Sequence, residues 1–212
     1  MQPRSGTASQ AFFAHWLAQR DDLEARYELV RGRVERSPPA DARAQQVARR
    51  LHRRLARAAA RCGAVVCGPG CTLALPTGDT VAIDVAVFAC PRALRSRATG
   101  THGAVVAPLA RTSAVPELVI DVLPTSPALR DRSGAIERRT ILAQAGVREQ
   151  WVVDPRAQTV TVLVKSGDRL ALVGVLRRHQ SLDLEALLGI VVPVGLLFRE
   201  TTVLKVAQPR AG

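Results

Sequence analysis

The strongest indication of the fold comes from two stretches, PELVIDVLPTSP (residues 116–127) and AGVREQWVVDP (residues 145–155). The first contains a short, almost wholly apolar segment interrupted by Asp121, which is typical of a strand buried in a sheet. The second has Gly146 as its second residue, a good C-terminal stop for a helix predicted over residues 134–145, and continues as a strand. Together they predict a helix packed beside strands of one sheet.

Outward from this centre, strands and helices alternate. Apolar periodicity predicts further helices over residues 10–24 and 41–61, the second with a seam of Val47, Leu51 and Leu55. Strand-like segments occupy YELVRGRVERSPP (a hairpin about Gly32), AVVCGPGCTLAL, TVAIDVAVF, PELVIDVL and REQWVVDP, followed by TVTVLVKSGDRLALVGVL with a turn at residues 166–168. Residues 91–113 are predicted as a loop or short helix, and LEALLGIVVPVGLLF as part turn and part helix. This order predicts one α/β domain with a mixed sheet flanked by helices.

Length and composition limit the class of protein. The 212 residues, 47% of them hydrophobic, favour one domain over residues 11–200, between a disordered tail over 1–10 and a tail over 201–212. No apolar run has the ~18 residues that span a bilayer, and the N-terminus does not resemble a signal peptide. We therefore expect a cytoplasmic protein without a membrane partner.

The formal net charge is +12, and the only lysines are Lys165 and Lys205. On the helix over residues 41–61, arginines recur at steps of seven, four, three and four. They are Arg43, Arg50, Arg54, Arg57 and Arg61. Two readings stay open: a solvated helix face that is rich in arginine because of codon bias, or a surface that contacts nucleic-acid phosphates.

Three of the four cysteines fall within ten residues, which suggests a zinc site. The four are Cys62, Cys67, Cys71 and Cys90. Zinc sites usually show paired C-x2-C spacing and a regularly placed fourth ligand. Neither is present, and buried reduced thiols are the favoured interpretation.

Two carboxylates stand where burial should exclude them. Asp84 interrupts TVAIDVAVF, and Asp121 interrupts PELVIDVL. A buried carboxylate is costly without a metal or a cationic partner. Two such residues on separate strands predict either a hard-cation site of the magnesium type or two ion pairs with arginine.

The ordered set of these segments over residues 11–200 resembles the Uma-two family of restriction-endonuclease-like proteins in the PD-(D/E)xK superfamily. The resemblance implies a mixed sheet with a C-terminal β-hairpin, and metal-dependent hydrolysis of DNA phosphodiesters with Mg²⁺ or Mn²⁺. It assigns Glu28, Asp84 and Asp121 as catalytic metal ligands. Many superfamily members work as dimers, so it also implies a possible homodimer.

The sequence departs from the family pattern at the position of the catalytic lysine. The simple arrangement places lysine two residues after the second acid, where Leu123 stands; this family more often has it on the next helix, where Arg138 stands. Arginine stabilises charge on a phosphate but cannot act as a base. Three hypotheses follow: an endonuclease that uses Arg138 and holds duplex DNA on the arginine stripe, an inactive nucleic-acid-binding relative, or a dimeric interaction module.

Overall fold

The structure is a computed structural model, and it describes residues 8–20, 26–37, 41–89, 115–126 and 134–199. The helices are α1 (Gln10–Ala18), α2 (Ala42–Cys62), α3 (Gly134–Gln144) and the single turn α4 (Glu185–Leu188), with a 3₁₀ turn at Val194–Leu196. The strands are β1 (Arg26–Val30), β2 (Arg33–Ser37), β3 (Val65–Cys67), β4 (Cys71–Ala74), β5 (Thr80–Ile83), β6 (Val85–Phe88), β7 (Leu118–Val122), β8 (Glu149–Asp154), β9 (Thr159–Ser166), β10 (Arg169–Arg177), β11 (Ser181–Leu184) and β12 (Ile190–Pro193).

The central sheet has six strands in the order β10-β9-β8-β7-β6-β3. Strands β7 and β8 pair in parallel, with Asp121 opposite Val152, and every other neighbouring pair is antiparallel. The parallel pair needs a crossover connection, and α3 lies in the segment that supplies it. Because of this one parallel pair the sheet is mixed, as the sequence predicts.

A second sheet has four strands in the order β2-β1-β5-β4, and β11 pairs with β12 in a separate hairpin. The β1–β2 turn places Arg31 (φ 47°) and Gly32 (φ 75°) in the left-handed region, as a two-residue hairpin turn requires. Arg31 lacks the freedom of glycine there, and its backbone N–H donates to Asp79 Oδ1 at 2.7 Å. That bond helps to hold the turn.

Helices α2 and α3 cover opposite faces of the central sheet. The buried stripe of α2, including Val47, Leu51 and Leu55, packs with Leu118 and Ile120 of β7. The buried residues of α3 pack with the other face of the same strand. Successive residues of a strand point to opposite faces, so the side chain of Asp121 is on the α3 side of the sheet.

Helix α2 has strong signals at both ends. Asp41 caps its N-terminus by accepting from the Ala44 N–H at 2.9 Å, and Gly63 ends it in the left-handed conformation (φ 75°). The other Asp41 oxygen accepts from the backbone N–H and the hydroxyl of Thr125, just beyond β7. This one carboxylate therefore ties the start of α2 to the end of the strand that carries Asp121.

The structure confirms the predicted fold class and refines several segments. TVAIDVAVF forms two strands in two different sheets, and Asp84 lies at the break between them. The prediction of turn and helix for LEALLGIVVPVGLLF missed strand β12. Among the described helices, none is long and apolar enough to cross a membrane. The predicted loop over 91–113, the tail over 201–212 and residues 1–7 lie outside the described part of the chain.

Candidate active site

Arg138 occupies the centre of the candidate site. Its Nε and Nη2 donate to the two oxygens of Asp121 at 3.1 and 2.7 Å, and its Nη1 donates to Glu28 Oε1 at 2.8 Å. The side chains are 20%, 17% and 13% exposed for Arg138, Asp121 and Glu28. One guanidinium thus links two of the predicted catalytic acids in a largely dehydrated setting, where charge-assisted bonds are strong.

The side chains of Glu28 and Arg138 also complete the hydrogen bonding of strand β5. Strand β1 pairs with β5 only at Leu29 and Thr80, so the ladder does not extend to Ala82. There the Ala82 N–H donates to Glu28 Oε1 at 2.8 Å, and the Ala82 carbonyl accepts from Arg138 Nη2 at 2.6 Å. Glu28 and Arg138 therefore have a structural role as well as a place in the site.

Asp84 has a different arginine as its partner. Arg26 Nη1 donates to Asp84 Oδ1 at 3.0 Å, and Arg26 Nη2 donates to the Ile83 carbonyl at 3.0 Å. The other Asp84 oxygen accepts from the Val122 N–H at 2.8 Å, beyond the last β6–β7 register pair, Val85–Ile120. Asp84 is buried, and both of its oxygens are bonded to the protein.

Gln150 of β8 adds one polar group that sequence reasoning missed. Its Nε2 donates to Asp121 Oδ2 at 2.7 Å, from the neighbouring strand and on the same face of the sheet. Its Oε1 is buried without a hydrogen-bond partner among the described atoms. A buried carbonyl without a partner is costly, and such an oxygen can accept from a water molecule or contact an ion.

The packing raises the pKa of both Asp84 and Arg138, which favours the neutral form of the acid and the charged form of the arginine. Burial raises the pKa of Asp84, aided by the neighbouring Asp121 carboxylate, although the Arg26 guanidinium and the Val122 N–H work against the rise. Burial disfavours the charge on Arg138, but Asp121 and Glu28 outweigh it and hold the pKa of Arg138 above its ordinary value. Arg138 therefore keeps its proton and cannot act as a base.

The residues do not fit a divalent cation in this arrangement. Carboxylates are the donors that magnesium prefers, but each of the three accepts from an arginine: Glu28 and Asp121 from Arg138, and Asp84 from Arg26. Among the described residues, no three acidic, histidine or cysteine side chains are grouped so that they could hold a metal ion. The guanidiniums already supply the positive charge that the acids need.

The structure brings together the four predicted catalytic residues but not the arginine stripe. Glu28, Asp84, Asp121 and Arg138 form one cluster with Arg26 and Gln150. The stripe lies on α2, across the central sheet from Asp121 and α3. Four of its members, Arg50, Arg54, Arg57 and Arg61, line a groove on that side, whereas Arg43 is exposed outside it.

The cysteines are dispersed between surface and core. Cys62 is exposed at the end of α2, whereas Cys67 and Cys71 are buried and free. A hydrogen bond with Cys71 and burial raise the pKa of Cys67, so its thiol is held protonated. Cys90 lies outside the described residues.

The mixed sheet flanked by helices is of the restriction-endonuclease-like fold class. The family model described as "Putative restriction endonuclease" matches residues 12–195, and the chain belongs to that family, Uma2. Its structure is similar to a crystal structure described as a "putative nuclease belonging to DUF820" from Anabaena variabilis ATCC 29413, with a TM-score of 0.64 over 90% of this chain and 97% of the other. At 15% identity this likeness shows the fold alone. None of the curated proteins searched matches.

Of the residues in the cluster, sequence reasoning missed Arg26 and Gln150. Arg26 directly precedes the YELV segment that carries Glu28, and Gln150 lies within AGVREQWVVDP. The available signal for Gln150 was a polar amide next to Trp151 and the apolar strand residues that follow it. Nothing in the sequence distinguishes Arg26 from the other arginines, because its pairing with Asp84 joins residues 58 positions apart.

Proposed function

We propose that this protein binds nucleic acid through a restriction-endonuclease-like fold and has lost efficient metal-dependent cleavage. The observation that carries the proposal is Arg138, which holds Asp121 with two hydrogen bonds and Glu28 with a third. In this position the guanidinium neutralises the carboxylates as a metal cation would. Three carboxylates and two guanidiniums leave the cluster with one negative charge, which is unfavourable for a phosphate.

The chemistry of arginine supports the loss of cleavage. A lysine ammonium is compact and can lose its proton when buried, whereas a guanidinium stays charged and spreads its donors over a plane. Arg138 uses that plane to contact Asp121, Glu28 and the Ala82 carbonyl together. Freeing Asp121 and Glu28 requires breaking three hydrogen bonds to this one guanidinium.

Nucleic-acid binding is supported by the family and by the charge. The description of the Uma2 family is that of a restriction endonuclease, a class whose substrate is DNA. A net charge of +12 on 212 residues favours polyanionic partners by counter-ion release. Duplex DNA is therefore the partner that we propose.

One observation favours a second candidate, a slow magnesium- or manganese-dependent endonuclease. Asp84 and the unpaired Gln150 oxygen remain beside Asp121 of β7, and Glu28 is joined to Asp121 through Arg138. This candidate requires Arg138 to leave Asp121 and Glu28, for example to contact a phosphate instead.

A paired assay separates the two candidates. Binding of a labelled 20-base-pair duplex is measured by fluorescence anisotropy at low salt, and nicking of supercoiled plasmid is measured with Mg²⁺ or Mn²⁺. We expect duplex binding and no metal-dependent nicking above the level of the Asp84→Asn/Asp121→Asn variant. Nicking that the wild type shows and the double variant lacks establishes the endonuclease. A folded wild type that does not bind DNA contradicts both candidates.

A further inference from the structure

The outer side of α2 carries a basic groove that lies apart from the acid cluster. The groove has a volume of about 540 Å³ and runs between α2 and the segment that contains β12 and the 3₁₀ turn. Half of its ten lining residues are arginines, and none of the ten is acidic: the arginines are Arg50, Arg53, Arg54, Arg57 and Arg61. Four of the five are exposed, and Arg50 is partly buried.

The groove is constructed with an apolar floor and a charged rim. Its floor includes Ala58 and Leu197, both buried, and Ile190, which is partly buried. Arg50 Nη1 donates to the Leu197 carbonyl at 3.4 Å, so this arginine links the two walls. An apolar floor carries the aliphatic parts of arginine side chains while the guanidiniums reach outward.

We infer that this groove is a binding site for the phosphate backbone of duplex nucleic acid, separate from the acid cluster. The inference rests on the proposed function and gives it a surface. The central sheet lies between the groove and the cluster, because α2 and Asp121 are on its opposite faces. A duplex held here would not present its backbone to Arg138.

The spacing of the arginines suits a nucleic-acid strand. From Arg50 to Arg61, α2 advances about 16 Å at ~1.5 Å per residue. One strand of a duplex carries a phosphate about every 3.4 Å along its axis, so roughly five phosphates lie along the same length. Five arginines over that distance match the charge of one strand.

The volume limits how the ligand enters. A groove of about 540 Å³ is the size of a small-molecule pocket and cannot receive the full width of a duplex. The backbone of one strand would therefore lie along the rim, with phosphates between the guanidiniums. Asp183 pairs with Val191 across the β11–β12 hairpin and adds one carboxylate to that face, which leaves the arginines in excess.

The salt dependence of duplex binding tests the site. Each phosphate contact contributes about 0.9 to the slope of log K against log salt concentration. The variant Arg53→Gln/Arg54→Gln/Arg57→Gln changes three exposed arginines and leaves Arg50 in place. We expect its slope to be shallower than that of the wild type by about 2 to 3.

A charge-matched control uses arginines far from the groove. The control variant Arg33→Gln/Arg156→Gln/Arg169→Gln also removes three positive charges, but from exposed positions on β2, the β8–β9 turn and β10. We expect its slope to change by less than about 1. Circular dichroism and thermal melting confirm that both variants are folded.

The outcomes separate this inference from the proposed function. A change in slope confined to the groove variant supports the site. An equal change in both variants overturns the site and leaves duplex binding intact, whereas a wild type that binds no duplex overturns the proposed function itself. Displacement of the duplex by polyglutamate of equal charge as effectively as by unlabelled duplex overturns the assignment to nucleic acid and points to an acidic protein partner.

Discussion

Arg138 and Asp121 form a bidentate ion pair in which Nε and Nη2 of the arginine donate to the two carboxylate oxygens. The pair joins α3 to β7 on one face of the central sheet. Glu28 extends the pair to β1, so three elements meet at one guanidinium. The stability of the fold and the chemistry of the site therefore depend on the same side chain.

Removal of Arg138 should destabilise the protein. Arg138→Met leaves Asp121 and Glu28 without their shared cation and the Ala82 carbonyl without its donor. Loss of one partner of a buried pair typically costs about 3 to 5 kcal/mol, and we expect about 3 kcal/mol in urea denaturation. The matched control is Arg139→Met, the next residue of α3, with an expected loss below about 1 kcal/mol. Equal losses in the two variants would show that the ion pair contributes little.

Replacement of Arg138 by lysine should open the cluster to metal. A single ammonium cannot hold Asp121 at both oxygens and reach Glu28 and Ala82 as well. We expect Arg138→Lys to bind one Mn²⁺ per chain at millimolar Mn²⁺, where the wild type shows no site-specific binding. Titration calorimetry measures the difference. Unchanged Mn²⁺ affinity in a folded Arg138→Lys protein would mean that the arginine does not block the site.

Asp41 should make a pH-dependent contribution to stability. Burial opposes its charge, but the N–H of Ala44 and the side-chain and backbone donors of Thr125 lower the pKa of Asp41 below the ordinary 3.8. A lowered folded-state pKa stabilises the fold above the unfolded value, and this contribution is lost as the pH falls through the folded value. We expect Asp41→Ala to cost about 1 to 2 kcal/mol at pH 7.

The pH profile of that variant is its decisive measurement. The difference in unfolding free energy between wild type and Asp41→Ala should shrink as the pH falls below 3.8. Asp168→Ala, at the exposed β9–β10 turn, serves as the control. It should cost less than about 0.5 kcal/mol of unfolding free energy both at pH 7 and below pH 3.8. A constant Asp41→Ala difference across that range would exclude the charged cap.

We predict a homodimer that forms through the edge of the central sheet. Among the described strands, β10 is terminal in its sheet and exposes Leu172 (63%), Val173 (68%) and Val175 (48%). An apolar edge strand can pair with its own copy about a two-fold axis. Sedimentation equilibrium should give twice the monomer mass for the wild type and the monomer mass for Leu172→Lys/Val175→Lys. The control Ile136→Lys changes a side chain that is 74% exposed on α3 and should leave the dimer intact.

Local signals made much of the fold predictable. Helix α2 follows from its Val47, Leu51 and Leu55 seam, and its boundaries follow from the Asp41 cap and Gly63. The β9–β10 turn follows from Ser166-Gly167-Asp168, because glycine and aspartate suit tight turns. Strand β12 was missed because its four residues lie in a continuous apolar run that has no distinct helical or strand period.

The acid cluster was predictable only in part. Asp84 and Asp121 stand out because each interrupts an apolar strand, and the family resemblance adds Glu28 and Arg138. Which partner each acid takes depends on contacts between residues 17 to 110 positions apart, which periodicity does not report. The separation of the arginine stripe from the acids has the same origin: it depends on which face of the sheet α2 covers.

Calorimetric titration of the wild type with Mn²⁺ tests whether Arg138 and Arg26 occupy the place of a metal in the acid cluster. We predict no site-specific binding at millimolar Mn²⁺, and a titration that matches that of the Asp84→Asn/Asp121→Asn variant. Binding of one Mn²⁺ per chain by the wild type, lost in the double variant, would contradict the claim and establish a working metal centre.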